Sequence, residues 1–192
     1  MKTVTIKRVT KETKIKVELD INGAGKSDIS TTIKFFDHML ATVAKHGFFN
    51  LVVNAEGDLS HHIIEDVGIT LGDAFKKALG GSGEREKTAR YGFAVVPMDE
   101  SIARCAVDIG SIGGEGRSYT VFEVDFGRER VEDISTENIE HFISSFATHA
   151  NLTIHIYAKG KNEHHKIEAI FKAVGIALDR AIREEKRRKV RD

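Results

Sequence analysis

The sequence predicts an α+β fold built from two copies of one unit, and three observations predict it. First, the chain matches itself when shifted by 103 positions: His38 falls on His141, His46 on His149, His61 on His164, His62 on His165 and Glu65 on Glu168, with no gap from Phe36 to Ala78. Second, apolar periodicity runs in the same order in both halves: strand, strand, strand, helix, strand, helix. Third, no long linker interrupts the 192 residues, which suits one compact unit. The repeat divides the chain into residues 1–89 and 90–192. Each half is expected to set two helices on one face of a mixed four-stranded sheet, with the halves packed about a pseudo-twofold axis.

Each element has its own signal. Val4 to Arg8 and Ile15 to Ile21 alternate polar and apolar and read as a hairpin. The run Asn22-Gly23-Ala24-Gly25-Lys26-Ser27 is turn chemistry, and Asp28 to Lys34 reads as a third strand. Asp37 to Lys45 reads as a short helix stopped by Gly47, Asn50 to Ala55 as a strand, and Gly57-Asp58 as a turn. From His61 to Leu79, helical spacing links Ile64, Val67, Leu71, Phe75 and Leu79, and Gly80-Gly81-Ser82-Gly83 ends the helix. In the second half, Gly92 to Pro97 and Ile102 to Ile109 form the hairpin and Ser118 to Phe126 the third strand. Asn138 to His149 is the short helix, Leu152 to Ala158 the strand, and His164 to about Lys189 the long helix. The glycine-rich stretch from Gly110 to Gly116 reads as a mobile loop.

Composition excludes several classes. Formal net charge is zero, with 29 basic and 29 acidic residues, so no global field attracts nucleic acid or an anionic membrane. The local exception is the basic tail Lys186-Arg187-Arg188-Lys189-Val190-Arg191. Cys105 is the one cysteine, which rules out an intrachain disulfide and fits a reducing compartment. The N-terminus lacks an apolar signal core and no run approaches a membrane span. A soluble, cytoplasmic protein is expected.

The densest identity in the repeat is in metal-ligand residue types. Packing alone would retain mainly apolar residues and glycines, as at Ala44/Ala147, Gly57/Gly160, Ile64/Ile167, Gly72/Gly175 and Ala74/Ala177. Eight of the nine histidines fall in repeat pairs, leaving only His155, which alternates within a strand and reads as structural. His61 and Glu65 lie four apart on one helix face and can chelate one ion; so can His164 and Glu168. His62 and His165 are turned about 100° from their neighbours and should face a different ion. With His38 and His141, the set divides evenly into two ions with three histidines and one glutamate each. Open coordination positions would remain, as catalysis requires. A single His-His-x-x-Glu is a weak signal, and adjacent histidines at a helix start are often simply solvated. Two copies in register, each with an upstream histidine at the same distance, are far more specific. His46 and His149 lie about 80° around the short helices from His38 and His141, so they either flank the sites or serve as polar helix ends. Histidine-rich ligands suit Zn²⁺ at least as well as Mn²⁺.

Other groups can complete a site. Glu12 aligns with Glu100 at an offset of 88, and Pro97-Met98-Asp99-Glu100-Ser101 carries the single proline beside two acids. A plain hairpin turn explains that segment equally well. Arg90, Arg104, Arg117 and Lys172 are cations that either decorate the surface or bind an anionic substrate.

The motifs together resemble a known family. Phe36-Asp37-His38-Met39-Leu40, His46-Gly47, Gly57-Asp58-Leu59, His61-His62-Ile63-Ile64-Glu65-Asp66, Arg90-Tyr91-Gly92, Pro97-Met98-Asp99-Glu100 and His164 to Ala173 are similar, in order along nearly the whole chain, to the imidazoleglycerol-phosphate dehydratases of histidine biosynthesis. The resemblance implies a tandem of units of the ribosomal protein S5 domain 2-like type. It also implies a homo-oligomer of 24 subunits, interfacial active sites and two Mn²⁺ ions per site. The metal ligands it implies are His38, His61, His62, Glu65, His141, His164, His165 and Glu168, drawn from different subunits. It makes Glu12 the acid/base, His46 a substrate-site histidine, and Arg90, Arg117 and Lys172 phosphate-binding residues. The implied reaction removes water from D-erythro-imidazole glycerol phosphate to give imidazole acetol phosphate. Two metals can each take one imidazole nitrogen, so that the ring helps expel the neighbouring hydroxyl while a carboxylate takes the carbon-bound proton.

The chain departs from the family pattern in three ways. The segment before His61 is shorter and lacks the usual Asp-Asp; the loop before Arg117 is longer; and the basic tail replaces a Ser-Thr-Lys-like phosphate-binding end. Two other readings are a dinuclear metallohydrolase, which would want a bridging carboxylate, and a non-catalytic metal-binding assembly protein, which gives Glu12 no role.

Overall fold

A computed structural model describes residues 3–81, 87–110 and 118–186. Arg117, the rest of the loop 111–117 and the tail beyond Lys186 lie outside the described residues.

The first half runs β1 (Val4–Val9), β2 (Thr13–Asp20), β3 (Ser27–Ser30), α1 (Lys34–Gly47), β4 (Asn50–Gly57) and α2 (Ser60–Leu79). Its sheet has the order β1-β2-β4-β3, antiparallel except for the parallel β3–β4 pair joined across α1. The second half runs β5 (Tyr91–Met98), β6 (Ser101–Asp108), β7 (Tyr119–Val124), a small hairpin β8 (Arg130–Val131) and β9 (Ile134–Ser135), α3 (Glu137–Ala150), β10 (Thr153–Lys159) and α4 (Glu163–Ile182). Its sheet order β5-β6-β10-β7, again with one parallel pair, repeats the first. The expected duplicated α+β architecture is what the chain adopts.

Alternation in the strands aims one face of each sheet at the core: Ile15, Val17 and Leu19 of β2, and Ala103, Cys105 and Val107 of β6, are buried. The helices cover those faces and meet each other crosswise. α2 packs along α3, and α4 along α1, so each long helix lies against the short helix of the other half. Glycine permits this approach at equivalent positions. A Cβ at Gly72 would meet the carbonyl oxygen of Phe146 at 2.7 Å, and one at Gly175 would meet that of Val43 at 2.7 Å. Between the helices, Phe142 stacks on Phe146 and on Phe171 and meets Phe36 edge to face. Burial pushes the Cys105 thiol up, leaving it an inert member of this core.

The structure corrects four boundaries. β3 stops at Ser30, not Lys34, because the N–H and hydroxyl of Thr31 turn inward to Asp37 Oδ1 (2.8 and 2.6 Å) and Thr32 takes a left-handed φ of 68°. Lys34 therefore opens α1, and Asp133 from the other half accepts from the backbone N–H groups of Lys34 (2.7 Å) and Phe35 (3.1 Å). β7 ends at Val124, before Phe126, and the β8–β9 hairpin follows where the sequence reading had no element. The long helix ends at Ile182, well short of Lys189. Arg183 is extended, and the chain then pairs with residues 87–89 through Ala89 N–H to Arg183 O and Glu185 N–H to Lys87 O, both 2.7 Å.

Candidate metal centre and active site

The first turns of α2 and α4 carry the paired histidines. In α4 the start is fixed by Asn162, whose side-chain oxygen accepts from the His164 N–H at 2.9 Å. In α2 no side chain caps the helix, but Asp58 accepts from the Leu59 N–H at 2.7 Å. From these starts His61 and Glu65 share one face, Nε2 to Oε2 at 3.9 Å, and His164 and Glu168 share the equivalent face at 3.7 Å.

Crosswise packing adds a third residue, from the other half, to the His61–Glu65 pair. His141 on α3 brings Nε2 to 3.4 Å from Glu65 Oε2, and its ring stacks on His61 at 4.8 Å between centroids. The donor atoms of His61, Glu65 and His141 all lie within 4.8 Å of one another. His38 stands on the α4 side, where its charge acts on Glu168. There Lys172 holds Glu168 Oε1 at 2.8 Å. Burial raises the Glu168 carboxyl, but the Lys172 hydrogen bond and the charges of Lys172, His38 and His164 outweigh it, so the carboxyl sits below its ordinary value.

The Nδ1 atom of each helix-start histidine is engaged within the chain. His61 meets Asn138 Oδ1 at 2.9 Å, His62 meets Asp58 Oδ1 at 2.7 Å, His164 meets Glu132 Oε1 at 3.2 Å and His165 meets Glu100 Oε2 at 2.9 Å. Each ring is thereby oriented with Nε2 left for a ligand role, the arrangement that metal-binding histidines commonly show. The Asp58 hydrogen bond raises His62, and the charges of Asp58, Glu12 and Glu65 add to it against desolvation. His165 is raised by Glu100, whose own carboxyl is pulled down to about 2 by His165, the Asn162 N–H and the Ser101 hydroxyl.

The donor set fits a divalent cation. His141 Nε2 is buried with no hydrogen-bond partner among the described residues, although it lies 3.4 Å from Glu65 Oε2. A buried ring nitrogen is costly without a partner, and an ion would supply one. Neither His62 nor His165 is among the donors gathered around Glu65. Their Nδ1 atoms are tied to Asp58 and Glu100, and their rings lie 6.0 and 6.2 Å from those of His61 and His164.

The remaining expected residues are distributed as follows. Glu12 sits beside the α2 start: its carbonyl accepts from the Asp58 N–H at 3.1 Å and its charge reaches His62. His46 is lowered by burial, with Lys172 and Lys45 adding to that and Glu168 opposing. Arg90 is engaged by Asp108 through two hydrogen bonds, 2.8 and 2.9 Å. Lys172 lies against Glu168. His149 forms a half-exposed pair with Asp73 at 3.1 Å, the plain helix-end role. The acceptors Asp58, Glu132 and Asn138 were missed from sequence. Asp58 had a usable signal, lying four residues before His62; Glu132 and Asn138 reach their histidines only through tertiary contact.

Comparison with known proteins shows the family. The sequence model of the imidazoleglycerol-phosphate dehydratase family matches residues 31–178. The chain is 46% identical over 193 aligned positions to the imidazoleglycerol-phosphate dehydratase of Methanocella arvoryzae, covering 98% of this chain and 95% of that one. It is 47% identical to that of Methanocaldococcus jannaschii, covering 99% and 93%. The crystal structure of the Staphylococcus aureus enzyme superposes with a TM-score of 0.84 at 33% identity, covering 96% of this chain and 100% of that one. That of the Pyrococcus furiosus enzyme in complex with (S)-C348 superposes at 0.81 and 35% identity, covering 96% and 97%. With a family-model match over most of the chain, near full-length similarity to named relatives and a shared fold, the chain belongs to the imidazoleglycerol-phosphate dehydratase family.

Proposed function

We propose that this chain carries out its family's reaction with two Mn²⁺ ions per active site, held between copies of itself. The reaction is the removal of water from D-erythro-imidazole glycerol phosphate to give imidazole acetol phosphate in histidine biosynthesis, so the enzyme is a hydro-lyase. The observation that carries the metal reading is the trio His61, Glu65 and His141, with its unpartnered buried nitrogen. By the repeat, His164, Glu168 and His38 form the second trio.

The oriented Nε2 atoms of His62 and His165 support an assembly. Neither is among the donors gathered around Glu65 in its own chain, so we read each as a fourth ligand supplied to a second copy. We read the full particle as the 24-subunit homo-oligomer that the family resemblance implies, working in the cytoplasm. Among the described residues no helix is long and apolar enough to cross a membrane.

When bound, the ions supply Lewis acidity toward the two nitrogens of the substrate ring. The chain supplies the rest. Glu12 moves the carbon-bound proton as general base and returns a proton as general acid. His46, with its lowered value, keeps a neutral ring near pH 7 and can accept a hydrogen bond or proton from substrate. Arg90, Arg117 and Lys172 bind the phosphate. Lys172 would exchange Glu168 for phosphate as the carboxylate turns to its ion.

The test is turnover of imidazole glycerol phosphate by metal-stripped protein, before and after Mn²⁺ is added. Turnover is expected only with the ion. Glu12→Gln is expected to lose about 10²–10⁴-fold in kcat while retaining metal content. Equal turnover without metal would sink the metal reading; unchanged kcat in Glu12→Gln would sink the role given to Glu12.

A further inference from the structure

The two proposed metal sites are related by the repeat, yet the groups behind them are not. The offset that pairs His61 with His164 also pairs Phe35 with Asn138. Asn138, which is buried, gives His61 Nδ1 an acceptor at 2.9 Å. Phe35 can only lay its ring against His164, 4.8 Å between centroids. The repeat therefore leaves His164 Nδ1 without the partner that its counterpart has. Glu132 fills that role from the tip of the β8–β9 hairpin, with Oε1 at 3.2 Å. This hairpin interrupts residues 125–136; the equivalent link between β3 and α1 is only residues 31–33.

We infer that Glu132 is a positioning residue for the His38–His164–Glu168 site, set there by a hairpin that only the second half carries. The inference rests on the metal reading above. Glu132 has a φ of 50°, a left-handed conformation that side-chain-bearing residues rarely adopt. That conformation sits between two contacts with the same site. Glu132 reaches His164, and the next residue, Asp133, accepts from the N-terminal N–H groups of α1, the helix that carries His38. Buried Val131 and Ile134 flank the tip, and Arg130 Nη2 donates to the Asp133 carbonyl at 3.1 Å.

The chemical consequence is a difference between the sites. An ionised carboxylate can only accept, so Glu132 fixes the proton of His164 on Nδ1 and leaves Nε2 for the ion. An amide can turn to offer oxygen or nitrogen, so Asn138 constrains His61 less. A carboxylate behind a ligating imidazole also strengthens the imidazole as a donor. Lys172 acts the other way on Glu168, so the second site combines a strengthened histidine with a carboxylate that has a competing cation. The Glu132 side chain is 57% exposed, so its loss should be felt in metal affinity rather than in folding.

The experiment is calorimetric titration of Mn²⁺ into the metal-stripped, full-length protein, with electron paramagnetic resonance of the bound ion, for wild type, Glu132→Ala and Glu132→Gln. Wild type is expected to bind two equivalents per chain. Glu132→Ala should weaken one of them by about 10–100-fold, the usual effect of removing such a partner. The other equivalent and the melting temperature of the metal-free protein should not move. Glu132→Gln should recover most of the loss, because its amide oxygen can accept as Asn138 does. Unchanged affinity at both equivalents in Glu132→Ala, or equal weakening of both, overturns the assignment. Wild type that binds no ion overturns the metal reading and the assignment with it, an outcome distinct from the other two.

Discussion

Arg90, to which we assign a phosphate-binding role, is also held in place by the fold. Its φ of 70° is left-handed, its N–H donates to the Ala181 carbonyl at 2.9 Å, and its carbonyl accepts from the Ile109 N–H at 3.1 Å. Asp108 then takes the guanidinium through two oxygens. Burial pushes the Asp108 carboxyl up, but the Arg90 hydrogen bond and charge and the Gly110 N–H pull it further down, so it sits below its ordinary 3.8. The sign of the linkage follows. A carboxyl lowered on folding contributes stability that is complete above 3.8 and is lost as pH falls through the lower folded value. Asp108→Asn should cost about 1 kcal/mol at pH 7, the scale of a partly exposed pair, seen as a melting temperature lower by about 2–4 °C. That gap should narrow as pH falls below the ordinary carboxyl value and vanish below the lower folded value. A gap that persists unchanged into strong acid would mean that packing, not charge, holds Arg90.

At the scale of elements, the site depends on how closely a long helix of one half approaches a short helix of the other. Gly72 and Gly175 set that distance. Gly72→Ala pushes α2 from α3, and Gly175→Ala pushes α4 from α1. Each should cost about 1–3 kcal/mol of stability, as overpacking does, read as a lower urea midpoint. Each should also weaken Mn²⁺ binding at its own site, because His141 and His38 ride on the displaced short helices. Stability lost without any change in metal affinity would refute the coupling. These glycines were visible in sequence as a repeat pair, but their purpose was not. The pattern from Ile64 to Leu79 announces a helix because one face must be apolar, and the alternation of β1 and β2 announces a hairpin for the same reason. Pairing of His141 with Glu65, and of His38 with the α4 face, is decided by crosswise packing between halves, which no local period encodes. The β8–β9 hairpin escaped because strands of two residues have no period to read. The end of α4 was misread because Lys186 to Lys189 favour a helix locally, while pairing with residues 87–89 draws the backbone away at Arg183.

On the whole molecule, the outer faces of the two sheets differ in a way that bears on assembly. The first presents Lys7, Lys14, Lys16 and Glu18 to solvent. The second presents Tyr91, Phe93, Val95 and Tyr119, each more than half exposed, and the register lines up Phe93, Ala106, His155 and Val121 across its four strands. That row also gives His155 its place, on the outer face and away from both trios. A contiguous exposed apolar face marks a contact surface, and the proposed sharing of His62 and His165 between copies gives the chain a reason to have one. Phe93→Asp sets a charge at the β5 end of that row, between exposed Tyr91 and Val95, without touching the core beneath it. The variant should remain folded by circular dichroism, lose mass by light scattering relative to wild type, and bind Mn²⁺ more weakly because the shared ligands are separated. Lys16→Asp, on the charged sheet, should change none of these. If Phe93→Asp keeps the wild-type mass, the second sheet is not the contact, and copies must meet through the helix starts of α2 and α4 alone.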